Sequence, residues 1–243
     1  MTSLLEVKHL TKRFGGITAV NDCSFEVQEG SITALIGPNG SGKTTAFNII
    51  TGYLKADSGS ISFRGKDIAE PDPAKLYRSG LSRTFQQARI FPEISVLENL
   101  IVASGYSWKG LLGARTTNGD RKIAGEMLEE FKLSALADFY ASELSYGQRK
   151  LLEFASVLMS SPKLVLLDEP TAGVNPVMIE TMERHIRSRH ASGVTFLIVE
   201  HDMQLVMRLC DPVIVLDHGA MIAQGTPTQV QANAQVLDAY LGS

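Results

Sequence analysis

The segment GPNGSGKT, Gly37 to Thr44, constrains this chain more than any other. It follows the apolar run Ile32 to Ile36 and precedes a helix-like run, Thr45 to Ile50, which is the strand, loop and helix context that a phosphate-binding loop requires. Glycines at 37, 40 and 42 open backbone angles closed to other residues, so consecutive N–H groups can converge on phosphate oxygens at the positive end of the next helix. The stretch Gly37, Pro38, Asn39, Gly40, Ser41, Gly42, Lys43, Thr44 and Thr45 is therefore the expected nucleotide cradle. Lys43 is placed to neutralise β- and γ-phosphate charge, and the Thr44 hydroxyl to ligate a magnesium ion bridging those phosphates. ATP and Mg2+ are thus the expected cofactors.

A second chemical signal is LVLLDEP, an apolar strand that ends in Asp168 and Glu169. Carboxylates at the carboxyl edge of a parallel strand face the crevice in which open α/β sheets bind ligands. Asp168 fits a direct or outer-sphere magnesium partner. Glu169 fits the general base that orients and polarises an attacking water. A solvated turn ending at Pro170 is the structural alternative for this pair.

Apolar runs mark the remaining elements. Leu4 to Val7, Phe25 to Val27 and Ile61 to Phe63 read as strands with Gly30 and Gly59 as turn signals, and helical spacing dominates from Val96 to Ser160. Leu164 to Leu167 and Val194 to Val199 read as strands buried on both faces, separated by a helix from Pro176 to His190. Val213 to Leu216 and Met221 to Ala223 suggest a hairpin, followed by a small helix through Leu237 and Tyr240. Among the histidines, His185 and His190 lie among Arg184, Arg187 and Arg189 on what reads as a solvated helix face, and His9 and His218 are likewise given no chemistry.

Composition narrows the classes. Hydrophobic residues make up 44% of 243, enough for a core and against disorder. With 23 basic and 26 acidic side chains the formal charge is −3, unlike the basic stripe of a nucleic-acid binder. Cys23 and Cys210 lie far apart with no partner at metal or disulfide spacing, which fits a reduced compartment. The start MTSLLEVKHL lacks the unbroken apolar stretch of a signal peptide, and no segment reaches about 18 uncharged apolar residues, so the chain is expected neither to cross a membrane nor to enter the secretory route by itself.

LSYGQRK, Leu144 to Lys150, precedes the helical run Leu151 to Met159 and would expose a second helix N-terminus able to hold phosphate. Together with the phosphate loop and LLDE, it resembles the signature of the ATP-binding cassette (ABC) family over essentially the whole chain. The resemblance implies a P-loop NTPase (RecA-like) α/β core with an antiparallel β subdomain and an inserted helical subdomain, all in one nucleotide-binding domain spanning 1–243. Residues 1–87 and 161–243 would form the core, and 88–160 the helical part. Ser145, Gly147 and Gln148 would contact ATP held by the other subunit of a head-to-tail dimer, identical or paralogous. Gln86 resembles the glutamine that reaches magnesium and the attacking water, His201 the switch histidine on the γ-phosphate, and Phe14 the aromatic that stacks on adenine. Two positions depart from the family pattern: Tyr146 where glycine is common, and Asn175 where aspartate is usual.

RTFQQARIFPEISVLENL, TAGVNP, VEHDMQLVMRLCD, IAQGTP and AYLG are similar to the ATPases of branched-chain amino acid importers. That likeness implies integral membrane permease subunits, an indirect link to a substrate-binding protein, no nucleic acid, and a peripheral place on the cytoplasmic face of the inner membrane. Phe91, Ile94 and Leu97 are candidate permease contacts or ordinary core. Relatives serving urea, amides or lipopolysaccharide share much of this vocabulary, and a soluble cassette ATPase unconnected with transport is the rival of another class.

Overall fold

The computed structural model describes residues 2–70, 72–84, 90–104 and 118–241. Two sheets organise them. Strands β1 (Ser3–Phe14), β2 (Ile17–Gln28), β4 (Ser58–Phe63) and β5 (Lys66–Asp67) form an antiparallel sheet in the order β2-β1-β4-β5. A six-stranded sheet runs β10-β9-β3-β8-β7-β6. It comprises β3 (Ile32–Ile36), β6 (Leu81–Arg83), β7 (Leu164–Asp168), β8 (Thr195–Val199), β9 (Val213–Asp217) and β10 (Ala220–Gly225). Its pairs are parallel except for the β9–β10 hairpin.

Residues alternate strictly between two cores on the central strands. Ile32, Ala34, Ile36, Val165, Leu167, Phe196, Ile198, Val213 and Val215 face one core. Leu35, Leu164, Leu166, Leu197, Val199, Ile214 and Leu216 face the other. A period of two with both phases apolar is what a parallel strand covered on both faces demands. On the second face lies α1 (Lys43–Ile50), through Ala46, Phe47, Ile49 and Ile50, together with the buried side chains of the antiparallel sheet. The first face packs α3 (Val96–Ala103), α4 (Asn118–Glu130), α5 (Tyr146–Leu158), α6 (Pro176–Ala191) and α7 (Met203–Leu209), and receives Val230 and Val236 of α8 (Pro227–Gln231) and α9 (Ala234–Leu241). The short helix α2 (Pro73–Ser79) leads into β6 and carries Asp72 as its N-cap.

Three expectations need correction. β1 and β2 are 12 residues each rather than short apolar runs, because bulges between Val7 and Leu10 and between Leu10 and Lys12 break the alternation while pairing continues. Gly59 does not turn the chain; it sits inside β4 at φ +94°, where a Cβ would meet the His9 carbonyl at 2.5 Å. His185 is not on a solvated face: it is buried and stacks on Phe131 with ring centroids 4.1 Å apart. Burial holds its imidazole below the ordinary value of 6.5.

Candidate nucleotide site

The carboxyl edge of the parallel sheet gathers the chemistry. β3 runs into the phosphate loop, β7 into Glu169, β8 into Glu200 and His201, and β6 into Thr84, and hydrogen-bond order places β8 between β3 and β7. That edge is where open α/β sheets bind ligands.

Gly42 starts α1 in the left-handed region, at φ +95°, and a Cβ there would meet the Ala19 carbonyl at 2.2 Å. The antiparallel sheet thus presses directly on the loop, and only glycine satisfies both demands. Lys43 is buried, and its ammonium donates to the carbonyls of Gly37 (2.8 Å) and Pro38 (2.9 Å) and to Ser41 Oγ (3.3 Å). Burial lowers its pKa from the ordinary 10.5, while the charges of Glu169 and Asp168 act in the opposite sense. Thr44 is exposed and Thr45 half-buried. A cleft of about 480 Å³ is lined by Pro38, Asn39, Gly40 and Ser41 together with Asp217 and Asp238. A larger one, about 550 Å³, lies against Lys66, Asp67 and Lys75 and contains none of these groups.

Asp168 ends β7 as a buried carboxylate paired with Arg83 (Nη2 to Oδ2, 2.7 Å). Arg83 also donates to Asn48 Oδ1 (2.7 Å) and Thr51 Oγ1 (3.0 Å), tying the end of α1 to β7. A buried ion pair needs such extra hydrogen bonds to offset desolvation. Glu169 takes φ +48°, uncommon for a residue with a Cβ, and its N–H donates to the Val199 carbonyl (2.9 Å). That stitch between β7 and β8 aims its side chain at the next loop, where Glu169 Oε1 meets His201 Nε2 at 2.9 Å.

Ser145 caps α5 in a capping box: its hydroxyl accepts from Gln148 N–H (3.3 Å) and Gln148 Oε1 accepts from Ser145 N–H (2.8 Å). Gly147 lies against Met178, where a Cβ would come within 2.9 Å of its methyl carbon. The Tyr146 hydroxyl donates to the Ala172 carbonyl (3.1 Å), so this turn rests on the segment that follows Glu169. Asn175 caps α6, accepting from Met178 N–H (2.9 Å). Phe14 is half-exposed at the tip of the β1–β2 hairpin with the Lys12 ammonium 5.6 Å from its ring centre. Phe91 is exposed, whereas Leu97 is half-buried against the helical core. Gln86 lies outside the described residues.

The structure therefore brings together Lys43, Asp168, Glu169 and His201, and it adds residues that local sequence pattern does not mark. Arg83 carries no such signal, because β6 spans only three residues. Glu200 had none beyond being a charge at the end of an apolar run. Burial raises the phenol of Tyr240 in α9 above the ordinary 10.0, against the lowering effect of the Gly37 backbone. Cys23 and Cys210 are buried and their thiols are pushed up to about 12, which suppresses thiolate chemistry.

Comparison with known proteins agrees with this geometry. Residues 20–172 match the family described as ABC transporter, and residues 220–243 match that described as branched-chain amino acid ATP-binding cassette transporter. A high-affinity branched-chain amino acid transport ATP-binding protein of Pseudomonas aeruginosa is 41% identical, over 98% of each chain. Its counterpart in Escherichia coli K12 is 40% identical over 98% of each. Among solved structures, the ADP conformation of an ATP-binding cassette of an ABC transporter superposes with TM-score 0.90 at 38% identity, covering 100% of both chains. A dimeric cassette in a post-hydrolysis state with ADP and Pi gives 0.81 at 25% identity, over 92% of this chain and 98% of that one. The phosphate loop, the acidic strand end and the capped LSYGQ turn, set on this fold, place the chain in the ABC transporter family as a nucleotide-binding ATPase cassette.

Proposed function

We propose that this chain hydrolyses ATP to energise uptake of branched-chain amino acids through a membrane transporter. The observation that carries the hydrolytic part is the contact of Glu169 Oε1 with His201 Nε2 at the sheet edge that also bears the phosphate loop. The cargo rests on the match of residues 220–243 and on relatives alike over their full length.

In this reading Gly37 to Thr45 wrap the phosphates, and the Lys43 ammonium exchanges its carbonyl partners for β- and γ-phosphate oxygens. The Thr44 hydroxyl and the Asp168 carboxylate are hard oxygen donors of the kind magnesium takes beside phosphates; they would hold the ion, which would neutralise charge building between the β- and γ-phosphates. Glu169 orients water and accepts its proton as the water oxygen bonds to the γ-phosphorus and the bond to the bridging oxygen breaks. His201 holds Glu169 and faces the γ-phosphate. Phe14 stacks on adenine. Ser145, Gly147 and Gln148 serve ATP on a second cassette, identical or paralogous, in a head-to-tail pair.

No described helix is long and apolar enough to cross a membrane. The proposed attachment, which rests on the likeness to transporter subunits, is to permease subunits at the cytoplasmic face, with exposed Phe91 in the docking surface and a substrate-binding protein linked indirectly. Purification from membranes in mild detergent tests this: a co-purifying permease whose ATPase rises with branched-chain amino acid and binding protein supports the reading. A permease answering only to urea, amides or lipopolysaccharide redirects the cargo, and recovery on ribosomes sinks the transport reading.

A further inference from the structure

Glu200, the residue after β8, is a carboxylate with no part in the steps above, and only 4% of it is exposed. A buried charge is costly unless its hydrogen bonds are met. Here they are met by two different loops. Oε1 accepts from the Thr171 N–H (3.0 Å) and hydroxyl (2.6 Å), in the loop after β7. Oε2 accepts from the His201 N–H (3.0 Å) and, at 3.5 Å, from that of Asp202, in the loop after β8. Each oxygen serves one loop, so the carboxylate fixes the spacing between them. Thr171 lies two residues beyond Glu169, and His201 follows Glu200 directly. The spacing Glu200 sets is therefore the one across which Glu169 and His201 meet at 2.9 Å.

The next stretch of the first loop is held as well. Tyr146 donates to the Ala172 carbonyl, and its ring lies 3.3 Å from where a Cβ on Gly173 would stand. Ser145 is its neighbour, so segment 171–173 spans from the capped turn of α5 to Glu200.

We propose that Glu200 is a positioning residue for hydrolysis, holding His201 against Glu169 by fastening both of their loops, with Tyr146 bracing the same segment from the other side. The proposal rests on the reading of Glu169 and His201 as the hydrolytic pair. Glu200→Gln is the sharp test because it keeps volume but puts an amide N–H₂ where one oxygen accepted, facing a backbone N–H that also donates. Misplacement of a reacting group by about 1 Å costs up to about 10²-fold. In the full-length chain, E200Q is therefore expected to lower kcat between about tenfold and 10²-fold. The KM for ATP should stay within about twofold, and a fluorescent ATP analogue should bind as it does to wild type.

Glu200→Asp, one methylene too short to reach both loops, should fail to restore kcat. Thr171→Val, which deletes the 2.6 Å bond from the other side, should show the same split between kcat and KM and less than additive loss when combined with E200Q. Should E200Q fold poorly, Thr171→Val carries the test alone. An active wild type with unchanged kcat in both variants overturns the positioning role, as does a kcat loss matched by equal loss of ATP binding. A wild type without turnover sinks the functional reading itself, and the positioning role with it.

Discussion

Glu169 and His201 illustrate how much one side chain can be asked to do. Glu169 keeps a left-handed backbone so that its carboxylate points at His201 instead of along β7. Glu169→Gln keeps the size and a hydrogen bond to His201 while removing the base. Nucleotide affinity is expected to hold while turnover drops by at least about 10²-fold. Single-turnover phosphate release equal to wild type would remove Glu169 from the mechanism. His185 gives a second prediction, in stability. Its folded pKa lies below the ordinary 6.5, so between that value and lower pH the unfolded chain binds a proton that the folded chain refuses. Its contribution is present above pH 6.5 and is lost as pH falls through the lower folded value. The melting temperature should therefore decline on acidification from pH 7 to 5 by an amount that His185→Phe reduces while keeping the stack on Phe131. An identical decline in both proteins would show that the slope comes from elsewhere. The helical spacing of Met182, His185 and Ile186 is the signal of burial: these three share the buried face, while Arg184 and Arg187 are exposed.

Among the elements, α5 begins at the capped turn proposed to serve a second nucleotide. Its capping box satisfies the N–H groups of Ser145 and Gln148, and its apolar residues Leu151, Leu152, Phe154, Ala155 and Leu158 reach the core. Glycine is a tolerable N-cap, so Ser145→Gly should cost only a few tenths of a kcal/mol in urea unfolding. If Ser145 serves a second nucleotide, ATPase should nevertheless fall by about tenfold or more, far beyond what that stability loss explains. A proportionate small loss of both would leave Ser145 as a cap alone. The phosphate-loop strand and helix were legible because their cause is local: apolar run, glycines, lysine, apolar run. β6 is three residues long and too short for any periodicity, yet it delivers Arg83 to Asp168 across 85 positions of sequence. Alternation marks only short parts of the long β1–β2 pair because its bulges put polar residues where alternation calls for apolar ones.

At the scale of the whole molecule, the six-stranded sheet is covered on both faces and its carboxyl edge carries Lys43, Asp168, Glu169 and His201, while the LSYGQ turn rests on the loop leaving that edge. In the head-to-tail reading each nucleotide needs two cassettes, so ATP should drive association. With E169Q to block turnover, sedimentation in magnesium ATP is expected to move toward twice the 26.4 kDa monomer, and Ser145→Arg should prevent it. No shift with any cassette partner would argue against the paired site. The linear order of residues by itself was enough to mark the phosphate-loop pattern, the acidic end of β7, the start of α5 and the family. Each of these is a short run whose backbone geometry and charge act within a few residues. Tertiary structure alone decided which buried charges meet. Arg83 finds Asp168, and Glu200 fastens Thr171 to His201, because parallel strand order sets side by side residues that the chain holds far apart. A buried carboxylate is tolerated only where such neighbours arrive.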